Sequence, residues 1–184
     1  MSVFKSKGHH TYFVYGSNMN PAQLADRCGA AEVLGVARLA DHRLAFFGYS
    51  AVWDGGEEAL VPHIGEEVWG VLYRMSFAAA DQLDEWHGVR ADGCGSYFLF
   101  PVFAVDLHGV SHAALLYRKA SCGEPSLPSN AQLAFILAGA VAQRLPPKYI
   151  DHLRQVNTKK ARYPVPRRES DARLFLSRLC AGCR

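Results

Sequence analysis

The chain has 184 residues, of which 49% are hydrophobic and 20% charged, enough apolar content for one domain with a sizeable core. Its longest strongly apolar stretch, Leu133 to Val141, falls well short of the roughly 20 residues that cross a bilayer. Residues 1–10 lack the apolar run of a secretory signal, so no membrane role and a cytoplasmic address are expected. The net charge of +3 divides unevenly, with +6 on residues 159–184 and −3 on residues 1–158. The basic end reads as a solvated arm. Nucleic acid ranks last among partners, because Tyr163 and Phe175 form no regular stacking pattern there. Five cysteines at irregular spacing argue against a disulfide framework, and Cys180-x-x-Cys183 has no second pair or following histidines to complete a metal site.

In chain order, residues 1–10 read as a flexible N-terminus carrying His9 and His10. The β-branched and aromatic run from Thr11 to Tyr15 predicts a first strand, and Gly16-Ser-Asn18 a turn after it. Asn20 as N-cap, Pro21 in the first helical position and Gly29 as terminator predict a helix. Partial alternation from Val33 to Phe47 predicts one or two strands. The stretch from Tyr49 to Pro62, rich in glycine and acidic residues, predicts a surface loop. Its Glu57 and Glu58 read as surface or strand-edge charges, with the loop around Glu57 able to reach over a site. Glu67 to Tyr73 has no polar face and predicts a strand buried on both sides.

Ser76 caps a predicted helix that runs to about His87, and Gly88 ends it. Tyr97 to Val105 and Val110 to Tyr117 predict a hairpin. Ser129 with Gln132 forms a capping box before a helix carrying Leu133, Ile136, Leu137, Ala140 and Val141, and Pro147 starts one more helix. Strands outnumber helices without a regular βαβ alternation, so the expected class is α+β, a mixed and partly closed barrel-like sheet with flanking helices. Residues 11–158 form the expected domain and 159–184 a basic tail.

A tight Gly-Ser-Asn loop between a strand and a helix start leaves backbone N–H groups free and points the helix dipole at whatever sits there. Gly16 permits close approach, and Ser17 and Asn18 add donors, so the loop suits a carboxylate or a developing oxyanion. Such turns are also commonplace structural features.

Tyr15-Gly-Ser-Asn-Met19 resembles the Y-G-S-N-[LM] signature of the γ-glutamylcyclotransferase-like family. The resemblance extends through Val36-Ala-Arg-Leu39, Glu67-Val-Trp-Gly-Val71, Leu83-Asp-Glu, Gly88-Val89, Tyr97 and residues 125–153, covering roughly 11–156. It implies a compact barrel-like α+β fold that cyclises a γ-glutamyl group to 5-oxoproline and releases an amine or amino acid, with no metal or cofactor. The substrate's α-amino nitrogen attacks its own γ-carbonyl while a glutamate moves the protons. Tyr15, Gly16, Ser17, Asn18 and Met19 would hold the substrate, and Tyr97 would add a hydroxyl. The partner implied is a small γ-glutamyl or related amide, or an anionic ligand; a homodimer is compatible with the sequence.

The family pattern L-D-x-x-E-G reads Leu83-Asp-Glu-Trp-His-Gly88 here, so His87 stands at the position of the catalytic glutamate. Glu85 lies two residues earlier, roughly 200° around a helix, and does not substitute. His87 is a competent base at neutral pH, but a helix C-terminus favours its charged form. Three readings stay open: His87 as replacement base, a pocket retuned to another amide or an anion, and a non-catalytic ligand-binding or regulatory module. The remaining histidines lack metal-ligand spacing, and Trp53, Trp69 and Trp86 read as core or pocket wall.

Overall fold

The computed structural model describes residues 8–167. Its elements in chain order are strand β1 (His9–Val14), a 3-10 turn (Gly16–Met19), helix α1 (Pro21–Cys28), strands β2 (Glu32–Ser50) and β3 (Gly55–Ser76), helix α2 (Phe77–His87), strands β4 (Tyr97–Asp106) and β5 (Ser111–Lys119), and helices α3 (Asn130–Ala142) and α4 (Pro147–Arg154). The five strands close into a barrel in the order β1-β3-β2-β4-β5, and a parallel bridge from Tyr12 to Leu115 joins β1 to β5. All other pairings are antiparallel. The α+β class and the barrel-like closure expected from the sequence are therefore what the chain adopts.

The helix boundaries follow local chemistry. Asn20 accepts hydrogen bonds from the backbone of Ala22 and Gln23, and Pro21 occupies the first turn of α1. Ser76 Oγ accepts from Ala79, and Gly88 leaves α2 with φ of 64°, a left-handed conformation that costs glycine least. Ser129 Oγ accepts from Gln132 N–H at 3.1 Å, the forward half of the expected capping box. The Gln132 side chain is buried with both polar atoms unpartnered, so the reciprocal half does not form.

Two expectations are corrected in the strands. His9 and His10, read as part of a flexible terminus, open β1 opposite Ser76 and Met75. The predicted surface loop from Tyr49 to Pro62 is largely strand: β2 and β3 form one long hairpin, and only residues 51–54 turn. Glu58 pairs with Phe46 and Glu57 with Phe47. The glycines that suggest a loop serve close packing instead, since a Cβ on Gly56 would collide with Phe46 and the Ser126 carbonyl. Of the run from Glu67 to Tyr73, expected to be buried on both sides, Val68 and Gly70 to Tyr73 are buried, whereas Glu67 is exposed and Trp69 half-buried, because Glu67 pairs with Arg38 at the surface.

The far half of this hairpin leaves the barrel and is covered from the side. Gly48 and Gly56 donate to the carbonyls of Glu124 and Leu127, and Ser126 donates to Phe46 O. The start of the basic tail takes part as well. Lys159 exchanges backbone hydrogen bonds with Asn130 and Pro128, Tyr163 donates to Ala51 O, and Arg167 N–H donates to Val52 O. Residues 159–167 are thus a strap across the hairpin tip and not a solvated arm; the backbone finds partners there that solvent would otherwise supply. The rest of the basic tail and the Cys180-x-x-Cys183 pair lie outside the described residues, as do residues 1–7. Cys28, Cys94 and Cys122 are free thiols. Among the described residues no helix is long and apolar enough to cross a membrane.

Candidate active site

A cavity of about 280 Å³ opens between the start of the 3-10 turn, the β2–β3 hairpin, the end of α2 and strands β4 and β5. Its wall brings together Tyr15, Ser17, Asn18, His87 and Tyr97, residues singled out in sequence, with Trp53, Glu57, Glu58, Trp86 and Tyr117. Met19 does not join them: it is 1% exposed and packs in the core. Tyr15 holds its hydroxyl on Tyr117 O at 2.7 Å, a bond within the wall.

Two of the loop's donors, both on Ser17, are already occupied. Ser17 N–H donates to both carboxylate oxygens of Glu58, at 3.0 and 2.8 Å, and Ser17 Oγ donates to Oε1 at 2.9 Å. Gly16, with φ of 68°, sits where a Cβ would lie 2.5 Å from the same carboxylate. The α1 dipole, expected to aim at the ligand, is displaced: the 3-10 turn intervenes, and Asn20 caps the first N–H groups of α1. The anion in this cradle is the chain's own Glu58. Burial pushes the Glu58 carboxyl above its usual range, opposed by the Ser17 hydrogen bonds and the nearby Arg27 charge.

His87 lies one loop residue away. Its ring stacks on Tyr117 with centroids 3.8 Å apart and meets Tyr97 edge-on at 5.3 Å. Nδ1 is 2.9 Å from Leu83 O, which only accepts, so Nδ1 carries the proton and the Nε2 lone pair faces Asn18 Nδ2 at 3.4 Å. Burial lowers the His87 pKa to about 3, and the Arg27 charge adds to the fall. The helix C-terminus was expected to favour imidazolium; loss of solvation outweighs it, and His87 is neutral at neutral pH. Arg27 packs 3.2 Å over the Trp86 ring and donates to Asn18 Oδ1, and burial brings it down to about 9. Glu57 is tied to Lys119. Glu85 reaches the cavity rim but is exposed.

Residues 67–153 match the model of the AIG2-like family. Human γ-glutamylcyclotransferase is 31% identical over 149 residues, spanning 79% of this chain and 77% of that protein. A solved γ-glutamyl cyclotransferase superposes with a TM-score of 0.79 at 28% identity, covering 92% of this chain and 99% of the other. An uncharacterized human protein superposes with a TM-score of 0.80 at 27% identity over the same shares of the two chains. This chain belongs to the γ-glutamylcyclotransferase-like family.

Within that family fold, the Tyr15 to Asn18 loop was visible in sequence and the residues that hold it, Glu58, Arg27 and Tyr117, were not. Glu58 reads as a surface charge until the long β3 register places it beside Ser17, a contact between residues 41 positions apart. The usable signal was Glu57-Glu58 running directly into the apolar Ala59-Leu60-Val61, which places a carboxylate at the start of a buried strand segment. Arg27 and Tyr117 have no signal in the sequence pattern, because each gains its role from a tertiary neighbour.

Proposed function

We propose that this cavity binds a γ-glutamyl or closely related small amide, cyclises it to 5-oxoproline and releases an amine or amino acid. What carries the reading is one cavity that gathers Ser17, Asn18 and Tyr97 beside the C-terminal end of α2, in a chain similar to human γ-glutamylcyclotransferase. About 280 Å³ lies just below the usual range of ligand sites, roughly 300 to 1,000 Å³, and suits a compact amino-acid derivative. Confining the α-amino nitrogen and γ-carbonyl of one molecule there supplies the proximity that ring closure needs.

In this reading Asn18 is the neutral donor offered to the developing oxyanion, joined by the Tyr97 hydroxyl when it turns from the Glu58 carbonyl, to which it donates at 3.4 Å. Tyr15 and Gly16 hold the loop's shape, and Met19 anchors it from the core. His87 accepts from Asn18 and orients its amide. A proton-accepting role for His87 asks an imidazole that ionises near 3 to deprotonate an ammonium, a poor match in basicity.

The test is 5-oxoproline release from γ-glutamyl amino acids, glutathione and γ-glutamyl amines. Turnover of one class is expected; a cooperatively folded protein that produces none across the panel overturns the reading. A second reading, a non-catalytic binding module, is favoured by one observation, the occupation of the two Ser17 donors by Glu58. A ligand that raises thermal stability without being consumed supports that alternative.

A further inference from the structure

The cavity of a cyclotransferase needs a carboxylate or an equivalent base, and at position 87 both ring nitrogens are turned to protein partners, Nδ1 to Leu83 O and Nε2 to the Asn18 amide. We propose that Glu58, on β3, is the proton-transfer residue of this chain, a carboxylate delivered to the same cavity from a different element. The inference rests on the cyclotransferase reading above and identifies the group that performs it.

Three observations converge on Glu58. Its carboxylate lines the cavity and is fixed by Ser17 N–H and Ser17 Oγ, so it is held in one place by the signature loop. Ser17 adjoins Asn18, which contacts His87, so Glu58 and His87 attach to neighbouring residues of one loop. Gly16 leaves the room that the carboxylate fills, since any Cβ there would overlap it. A carboxylate offers about four acceptor positions; among the described residues Ser17 is the one donor bonded to the Glu58 carboxylate, which leaves acceptor capacity for a substrate ammonium in the cavity that Glu58 lines. The other acids of the wall are less suited: Glu57 is tied to Lys119, and Glu85 is exposed at the rim. Burial also raises the basicity of Glu58, which brings a carboxylate nearer to what proton transfer at neutral pH requires.

The chemistry balances with this one group. Glu58 takes a proton from the α-ammonium, and the freed nitrogen attacks the γ-carbonyl carbon, forming the ring C–N bond and an oxyanion. The oxyanion collapses, the bond to the leaving nitrogen breaks, and Glu58 returns the proton to that nitrogen. The extra proton on the new ring nitrogen follows the same route. Two protons pass from the attacking to the leaving nitrogen, so the products are a neutral lactam and an ammonium, with no net acid released and no co-reactant consumed.

The experiment measures 5-oxoproline release, kcat and KM separately, and melting temperature for the native protein, Glu58→Gln, His87→Gln and the double variant Glu58→Gln with His87→Glu. Glu58→Gln is expected to lose about 100-fold or more in kcat, the scale of general acid–base catalysis, with KM changed only a few-fold and the fold retained. His87→Gln is expected to lose no more than about tenfold. The double variant, which returns a carboxylate to α2, is expected to recover at least about tenfold over Glu58→Gln alone. Native-like kcat in Glu58→Gln overturns the proposal while leaving the cyclotransferase reading in place, and higher activity in that variant identifies Glu58 as a plug of the anion cradle. A native protein silent on every substrate overturns both readings. If Glu58→Gln fails to fold, Glu58→Asp is used, where retraction of the carboxylate by one methylene must lower kcat; unchanged kcat overturns the proposal.

Discussion

His87 stands under two opposed influences, a helix C-terminus that favours charge, legible in sequence, and the folded neighbours Trp86, Tyr97 and Tyr117, which remove water. Burial wins, and the consequence is measurable in stability. The imidazole ionises near 6.5 when unfolded and near 3 when folded. Between those values the unfolded chain binds more protons, so stability falls as pH drops, with a contribution of up to about 1.4 kcal/mol per pH unit from this one group. Carboxylates contribute their own pH dependence, so the comparison is with His87→Gln. Denaturant unfolding from pH 8 to pH 4.5 is expected to show the variant losing less stability than the native protein over that range; parallel curves would mean that His87 titrates normally in the fold. At this scale the loop Tyr15 to Asn18 was legible through its resemblance to the family signature, since its turn residues alone are commonplace. Glu58 was not, because the step from Glu57-Glu58 into Ala59-Leu60 marks only the edge of a buried segment and does not say which carboxylate meets the Ser17 backbone N–H.

At the scale of elements, caps and terminators were readable wherever the chemistry is local: Asn20 and Pro21, Ser76 and Gly88, Ser129 and Pro147 all stand where they were expected. The long hairpin and the strap were not readable, since both depend on pairings between distant residues. Asp54 joins the two. It is completely buried and accepts from Arg162 N–H at 2.6 Å, from Arg162 Nη2 at 2.7 Å and from Tyr49 Oη at 2.9 Å. These bonds hold its carboxyl well below the usual carboxylate range. Asp54→Asn and Arg162→Ala are each expected to lower the melting temperature by several degrees, Asp54→Asn by more because it weakens acceptance from the Arg162 backbone as well as its side chain. The double variant is expected to lose less than the sum of the two, as groups in one network do. Strict additivity in thermal melts would mean that the Arg162 side chain and the Asp54 carboxylate do not stabilise the fold through each other.

For the whole molecule, the barrel explains why the cavity is a single cooperative object. Its wall is assembled from β1, the 3-10 turn, the β2–β3 hairpin, α2, β4 and β5, so a ligand seated there touches most of the sheet at once and must be released before any of these elements opens. The α+β class was legible from the mixed order of strands and helices, whereas closure depends on the single bridge from β1 to β5 and has no sequence period of its own. The coupling predicts how binding is felt. A small γ-glutamyl compound or 5-oxoproline at about 100 times its Kd should stabilise the native state by about 2.7 kcal/mol, which for a chain of this size raises the melting temperature by about 5–10 °C. Hydrogen exchange of backbone amides in β1, the first residues of β3, α2 and β4 should slow together, because every opening that exposes them first costs the bound ligand. Protection confined to the loop at Ser17 and Asn18 would instead describe a surface contact, and would place the ligand outside the cavity that these elements enclose.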